Sequence, residues 1–229
     1  MAEKICRRIN LIADSNGQEK PKEMQIDCDW TVESKTKFFT MLTACKKNMP
    51  GLVVSCTIRL HQVKYFKSCG VPPVDRGMLM FYNMGSLTTL NEVNSIYDPK
   101  VAVNYLVNFE SYPLPLDVAL PVFSLAVLYH NNKPVNTVTP EITSNYIFEQ
   151  RKYNLFMADR DTFIDFNHIY AGDMVKVESV GPYSCAEAAK QIAPYLQSNQ
   201  FTVSIFDLQP ATFFKYDTSV IAQIYNAFR

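Results

Sequence analysis

Several sequence signatures of common enzyme classes are absent from this chain. It has no GxGxxG or GxxxxGK[ST] pattern, so the usual phosphate cradle of nucleotide-dependent enzymes is missing. It has no GxSxG nucleophile elbow either, which disfavours a serine hydrolase. Only His61, His130 and His168 are available as histidine ligands, and the six cysteines include no CxxC pair. We therefore expect neither a metal site nor a cofactor.

The chain also lacks an excess of charge and a long apolar run. Its 22 Lys and Arg residues balance 22 Asp and Glu residues, so no net charge attracts it to nucleic acid. The longest apolar stretch, Val118 to Tyr129, is broken by Pro121 and Ser124 and is shorter than the roughly 20 residues of a membrane span. We expect no nucleic acid partner and no membrane span, and the oligomeric state stays open.

The N-terminus carries no export signal. Its first residues, Met-Ala-Glu-Lys-Ile-Cys-Arg-Arg, lack the apolar central region of a signal peptide. The sequence as it stands predicts no export. A start that is truncated relative to the natural one is the alternative, so the localisation stays open.

Apolar runs of strand length alternate with helical patterns, which predicts repeated βα units in a parallel sheet. The predicted strands are Met24–Trp30, Leu52–Leu60, Gly77–Asn83, Val118–Leu125, Met174–Glu178 and Phe201–Leu208. The predicted helices are Lys4–Ala13, Ser34–Asn48, Pro99–Asn108, Cys185–Gln197 and Thr218–Phe228. Polar and turn residues from Asn131 to Ser144 predict an elaborated loop.

The first two predicted strands carry polar residues where a sheet covered on both faces would carry apolar ones. One face of the first strand holds Asp27 and Asp29, and one face of the second holds Arg59 and His61. A closed barrel accounts for this pattern, because polar side chains then face the barrel axis and a site at the C-terminal strand ends. Arg59 is placed to pair with Asp27 or Asp29 and to keep these acids ionised.

About six strands are fewer than the eight of a complete barrel. The fold class that we predict is α/β, a (β/α)8 TIM-barrel-like fold that is incomplete at its N-terminus and has about six recognisable parallel strands. No linker or repeat divides the sequence, so residues 1–229 are predicted to form a single barrel-like domain. The alternative is that one or two strands are hidden between Asn131 and His168.

Three sequence blocks resemble a known family. They are QIDCDWT at residues 25–31, TIRLHQ at residues 57–62 and GVPPVDRGMLMFYNMG at residues 70–85. Over most of the chain they resemble an uncharacterised bacterial family of TIM-barrel proteins similar to glycoside hydrolases. The Asp-x-Asp strand is also similar to the acidic strand of chitinase-like barrels. That strand continues to a catalytic glutamate, whose position is Thr31 here.

The resemblance implies glycoside hydrolysis, which needs two carboxyl groups that flank the scissile bond. The candidate catalytic residues are Asp29 as acid or nucleophile, Glu178 as its partner and Asp27 one layer deeper. Lys176 shares a strand face with Glu178, so a structural ion pair is the alternative for that carboxylate. A structural pair with Arg59 is the alternative for Asp27.

The candidates for saccharide contact also lie at or near predicted strand ends, and they are Arg59, His61, Tyr82, Asn83, Asp207 and Trp30. A loop-capping hydrogen bond is the alternative for His61, and a strand-end turn is the alternative for Asn83. Alternation directs Asp207 toward the helices unless a bulge intervenes. Trp30 is the only tryptophan, and we expect its ring either to stack on a sugar or to pack against a helix.

Two classes of function remain. The first is a glycoside hydrolase-like protein that acts on or binds a saccharide through an acidic site at the C-terminal strand ends, and hydrolase activity is favoured but left open. The alternative is a non-catalytic saccharide- or protein-binding barrel whose acids are structural. Two carboxylates facing one cleft would favour the enzyme, whereas Asp27 and Asp29 fully occupied by Arg59 would favour the binder.

Overall fold

Most of the predicted helices and strands form, with changed ends. The computed structural model describes residues 1–88, 90, 94–196, 200–207 and 217–229. Its helices are α1 (Ala2–Ser15), α2 (Lys35–Asn48), α3 (Leu60–Lys64), α4 (Phe66–Cys69), α5 (Pro99–Val103), α6 (Pro182–Ile192) and α7 (Thr218–Asn226). Its strands are β1 (Glu23–Ile26), β2 (Val53–Arg59), β3 (Arg76–Met80), β4 (Leu116–Pro121), β5 (Ser124–His130), β6 (Lys133–Val138), β7 (Phe148–Lys152), β8 (Leu155–Ala158), β9 (Thr162–Ile164), β10 (Asn167–Ile169), β11 (Met174–Ser179) and β12 (Val203–Phe206).

The chain divides into two units by its internal contacts. The first unit comprises residues 1–81, 103–119 and 192–204, and the second comprises residues 82–102, 120–191 and 205–229. Two predicted ends, Gln197 of the fourth helix and Leu208 of the last strand, lie outside the described residues.

Among the described residues, five strands form a parallel sheet in the order β1-β2-β3-β4-β12. The first four run parallel to their neighbours. Along β4 and β12, the Val118 N–H donates to the Thr202 carbonyl at 3.0 Å and the Val122 N–H to the Phe206 carbonyl at 2.6 Å, so these strands also run in one direction. The fold is mixed α/β with a curled parallel sheet, consistent with an incomplete TIM-like barrel.

Helix α1 packs against α2 in the first unit. Helix α1 buries Ala2, Cys6 and Ala13, and α2 buries Phe38, Leu42 and Cys45 at helical spacing, as predicted for α2. Because apolar side chains recur every three to four residues, each helix presents one buried stripe.

The apolar run from Val118 to Tyr129 forms two strands instead of the single predicted one. Strand β4 ends at Pro121, and β5 begins at Ser124 and enters a different sheet. Proline has no N–H to donate, so it suits the end of a ladder. The run therefore divides at the residue that interrupts it in the sequence.

The second unit contains an antiparallel sheet that the sequence analysis did not predict. Its strand order is β6-β5-β11-β8-β7, and β9 and β10 form a separate hairpin. The predicted parallel strand Met174–Glu178 was assigned to the wrong sheet, because β11 pairs antiparallel with β5 and β8. A core cluster of the second unit contains the buried residues Ala126, Leu128, Ile142, Ile147, Phe148, Ala158, Ile169 and Val175.

A two-residue turn explains why β6, which follows Asn131, does not join the parallel sheet. Asn131 and Asn132 have φ values of 51° and 60° and join β5 to β6 in a two-residue hairpin turn. Parallel neighbours need a crossover of a dozen or more residues, whereas this turn enforces an antiparallel pair. The elaborated loop predicted here is therefore wrong over β6.

In the part of the chain that the structure describes, none of the helices combines the length and the apolar character that a bilayer crossing would need.

Candidate functional site

The residues that follow β1 lie beside the residues that end β2. Strand β1 ends at Ile26, so the prediction that it continues to Trp30 was wrong. The β1–β2 register pairs Gln25 with Ser55, an offset of 30 residues. The same offset continues in side-chain contacts beyond the strand, between residues 27 and 57 and between residues 29 and 59. The predicted neighbourhood of acids and polar residues therefore forms.

Asp29 and Arg59 form a bidentate ion pair. The Nε–H of Arg59 donates to Oδ1 of Asp29 at 2.9 Å, and its Nη2 donates to Oδ2 at 2.8 Å. The side chains of Arg59 and Asp29 are 32% and 56% exposed, so water screens the pair. Both carboxylate oxygens of Asp29 accept from one guanidinium, which is the fork geometry that fixes a carboxylate most firmly.

Asp27 contacts Thr57 of β2. Its Oδ1 accepts a hydrogen bond from the Thr57 hydroxyl at 2.8 Å, and its side chain is exposed instead of lying in a deeper buried layer. Cys28, which strict alternation would place on the face opposite Asp27 and Asp29, is also exposed. Both differences follow from the end of β1 at Ile26, since strict alternation holds only while the chain stays in the sheet.

His61 lies in the first turn of α3, two residues after Arg59. Desolvation lowers the pKa of His61; the negative charge of Asp29 opposes this shift, and the positive charge of Arg59 adds to it. The net direction is downward, so the imidazole is neutral at pH 7 and offers one donor and one acceptor.

Trp30 is a packing residue in this structure. Its ring is buried, stacks on Phe38 at a centroid distance of 5.4 Å and meets Phe39 edge-on at 5.7 Å. Its indole N–H donates to the Cys69 carbonyl at 3.1 Å. Packing against a helix, one of the two predicted alternatives, describes its position.

Thr31 takes part in the start of α2. Its N–H donates to the Ser34 hydroxyl at 2.9 Å, and its own hydroxyl accepts from the Ser34 N–H at 3.3 Å. The Lys35 N–H donates to the Thr31 carbonyl at 2.9 Å. Thr31 stands where the sequence resemblance would place a catalytic acid. In this structure it instead bonds to residues at the start of α2.

In the second unit, three aromatic rings cluster: Tyr82 and Phe123 lie two residues after the ends of β3 and β4, and Phe206 is the last residue of β12. Tyr82 is buried and stacks on Phe206, with centroids 5.2 Å apart and planes inclined by 14°. Phe123 meets both rings edge-on, at 5.8 Å and 5.5 Å. Phe206 is 46% exposed, so its ring is open to solvent while Tyr82 supports it. Of these three residues, only Tyr82 was predicted from the sequence as a saccharide contact.

Asn83 and Asp207 flank this aromatic cluster in sequence. Asn83 has a φ of 56°, and its N–H donates to the Ile96 carbonyl at 2.7 Å. This left-handed conformation, which asparagine tolerates, agrees with the strand-end turn. Asp207 directly follows β12 and is half-buried.

Glu178 lies in β11 and is held inside the second unit. Lys176 Nζ lies 2.6 Å from its Oε1, and its Oε2 accepts from the N–H of Ser95 at 2.7 Å and from the Ser95 hydroxyl. All three residues are buried. The predicted alternative of a structural ion pair describes this arrangement.

The described residues contain no group of three or more His, Cys, Asp or Glu side chains that would hold a metal ion. The predicted site residues take part in several local contacts. Asp29 contacts Arg59, Asp27 contacts Thr57, Tyr82 contacts Phe206, and Glu178 contacts Lys176.

No protein-family model matches this sequence, and no curated protein matches it. Solved structures do share its fold. A chitinase from Chromobacterium violaceum matches with a TM-score of 0.56 at 11% identity, over 97% of this chain and 70% of that chain. A chitinase-like agglutinin from Robinia pseudoacacia matches with a TM-score of 0.53 at 11% identity, over 100% of this chain and 73% of that one.

The spore cortex-lytic enzyme of Bacillus cereus matches with a TM-score of 0.54 at 14% identity, over 99% of this chain and 53% of that chain. At these identities the likeness is one of fold. The chain therefore shares the fold of these structures over nearly all of its length.

Proposed function

We propose that this protein is a glycoside hydrolase-like protein that binds a saccharide at the C-terminal ends of its parallel strands and does not use Asp29 to hydrolyse it. The proposal rests on one observation, the bidentate hold of Arg59 on both carboxylate oxygens of Asp29. A nucleophile or general acid needs a free oxygen directed at the substrate. Asp29 instead presents, together with Arg59, a fixed polar surface.

Thr31 supports binding over hydrolysis. A hydroxyl cannot replace a carboxylic acid that protonates a leaving group, because its proton is far less acidic. The Thr31 hydroxyl is also committed to Ser34 at the start of α2. The chitinase-like pattern thus lacks its acid at the position where the resemblance would place it.

Phe206 supports a saccharide as the ligand class. Its half-exposed ring, stacked on Tyr82, offers an apolar face at a strand end. Sugar rings have apolar C–H faces, which suit an aromatic ring that is open to solvent. The similar folds include a chitinase and a chitinase-like agglutinin, so chitin oligosaccharides are the first ligands to test.

The second candidate is hydrolysis with Asp29 as acid or nucleophile and with Glu178 or Asp27 as the second carboxyl group. Two of the similar structures are those of a chitinase and a spore cortex-lytic enzyme. The buried pairing of Glu178 with Lys176 and Ser95 weighs against that partner.

We expect the protein to bind chitin oligosaccharides in calorimetry and to release no reducing ends from them. Phe206→Ala should weaken binding by roughly tenfold, the factor that corresponds to about 1.4 kcal/mol. Phe163→Ala removes another exposed phenylalanine, 67% exposed in the β9–β10 hairpin, and serves as the matched control with unchanged affinity. Reducing-end release by the wild type that disappears in Asp29→Asn would establish the hydrolase instead, and absence of binding to every saccharide tested would overturn both candidates.

Arg59→Ala should weaken saccharide binding with little change in the stability of the protein. The pair that it removes is partly exposed and screened by water, so we expect the free energy of unfolding to change by less than about 1 kcal/mol. Saccharide affinity should fall, because the guanidinium and the orientation of Asp29 are lost together. Urea unfolding and calorimetry on the same preparation measure the two effects. Unchanged affinity would remove this pair from the binding surface.

A further inference from the structure

The β9–β10 hairpin has one face toward the core and one face toward solvent. Ile169 is buried in the core cluster of the second unit, and Ile164 packs against that cluster. On the other face, Phe163 is 67% exposed, and its cross-strand partner His168 is exposed as well. Directly opposed residues lie on the same side of a pair of strands, and successive residues alternate between the two sides. The hairpin therefore holds isoleucine inside and presents rings outward.

Two further rings continue the outer face. The ring centroid of Tyr170 lies 4.2 Å from that of His168 and 4.8 Å from that of His130, the last residue of β5. Tyr170 is 40% exposed, and so is the side chain of His130. Four partly exposed rings thus follow one another, and we call them the aromatic row: Phe163, His168, Tyr170 and His130.

A buried carboxylate fixes one end of the aromatic row. The side chain of Asp173 is 3% exposed, and its Oδ1 lies 2.6 Å from Nδ1 of His130. Its Oδ2 accepts a hydrogen bond from the N–H of Tyr170 at 2.9 Å. These contacts orient the His130 ring and hold the backbone at Tyr170, so a ligand that contacts this end has less conformational entropy to remove.

The turn of the hairpin carries another ring, which neither burial nor backbone preference explains. Asp165 and Phe166 join β9 to β10 with φ values of 45° and 64°. The second position of such a turn favours glycine, and a bulky residue is rare there. Phe166 is 96% exposed, so packing does not offset the cost of this conformation. Contact with a ligand would account for a phenylalanine at this position.

We propose that the aromatic row is a second saccharide-binding surface, through which the protein attaches to an uncharged, insoluble polysaccharide. Its ligand class rests on the proposed function, because the apolar face of a sugar suits a solvent-exposed ring. Single ring contacts are weak, so the row binds a polymer that meets several rings at once and not a short oligosaccharide. The row shares no residue with the surface at Phe206, and Phe163→Ala therefore leaves the affinity for soluble oligosaccharides unchanged.

The charges beside the aromatic row favour an uncharged ligand. Asp165 lies in the turn at one end, and Lys133 is the cross-strand partner of His130 at the other. The row itself contains no carboxylate and no ammonium group. A polyanion would be repelled at Asp165 and a polycation at Lys133, whereas a neutral polymer is repelled at neither end.

The test measures how much of the folded full-length protein microcrystalline chitin removes from solution. We expect the wild type to adsorb and Phe163→Ala to lower the partition coefficient by roughly three- to tenfold. Phe163→Tyr keeps a ring and should retain adsorption. Tyr153→Ala is the matched control, because it removes a 94% exposed ring between β7 and β8, outside the row. Circular dichroism checks that each variant is folded.

Three results would overturn the aromatic row as a polysaccharide surface. They are a wild type that stays in solution, equal adsorption of wild type and Phe163→Ala, and adsorption that is lost at high salt, which ring contacts should survive. If the wild type stays in solution and self-associates in a way that Phe163→Ala abolishes, the row is a contact between copies.

Failure of the row and failure of the proposed function give different results. Oligosaccharide binding in calorimetry without adsorption to chitin would leave the surface at Phe206 and remove the row. Adsorption that Phe163→Ala weakens, without oligosaccharide binding in calorimetry, would leave the row and remove the surface at Phe206.

Discussion

Replacing Lys176 with methionine is expected to lower the free energy of unfolding by about 3 to 5 kcal/mol. Lys176 is 1% exposed, and its Nζ lies 2.6 Å from Oε1 of Glu178, which is 3% exposed. Methionine fills much of the same space without a charge, so the Glu178 carboxylate would remain buried without this cation. Urea unfolding at neutral pH, followed by far-UV circular dichroism, measures the loss.

The same substitution at an exposed pair is the matched control. Lys46 Nζ lies 2.5 Å from Oδ1 of Asp75, and their side chains are 38% and 40% exposed. We expect Lys46→Met to cost less than about 1 kcal/mol, because water solvates the carboxylate that is left. The double variant Lys176→Met with Glu178→Gln should recover much of the lost stability. Equal effects of Lys176→Met and Lys46→Met would contradict the role that we assign to burial.

Gly77→Val is expected to cost about 2 to 3 kcal/mol, because β3 has no room for a side chain there. Gly77 lies between β2 and β4, opposite Cys56 on one side and Leu116 on the other. A Cβ atom at this position would lie 2.6 Å from Cγ1 of Ile58 and 3.0 Å from Cδ2 of Leu116. The urea midpoint should therefore shift to lower concentration with little change in slope.

Ile58→Ala tests whether this contact causes the loss. Ile58 is fully buried, so its truncation alone is costly. In the Gly77→Val background, however, the truncation makes space for the new side chain. The combined loss should be smaller than the sum of the separate losses, which is the coupling expected of residues in contact. Strictly additive losses would place the strain elsewhere.

The spacing of residues in the sequence predicted helix α2 and the pairing of Arg59 with an acid. The helix begins at Lys35, one residue from the predicted start, because its buried residues recur at helical spacing and Pro50-Gly51 follows. The pairing of Arg59 with an acid was predictable because adjacent strands fix which side chains meet. Which acid it takes depends on the register, and that offset selects Asp29.

Sheet membership was not predictable from the same patterns. The sequence of β11 alternates apolar and polar residues, and alternation does not show which neighbours a strand pairs with. Glu178 was therefore expected at the end of a parallel strand but pairs inside an antiparallel sheet. The aromatic cluster was missed for a related reason, since Tyr82, Phe123 and Phe206 are far apart in sequence.

Trp30 allows unfolding of the first unit to be followed separately by tryptophan fluorescence. It is the only tryptophan of the chain, and its indole is buried against Phe38 of α2. Its emission should be blue-shifted in the native state and should move to longer wavelength when that packing is lost. The second unit has no such fluorophore, so tryptophan emission and circular dichroism together distinguish unfolding of the first unit from unfolding of the whole chain.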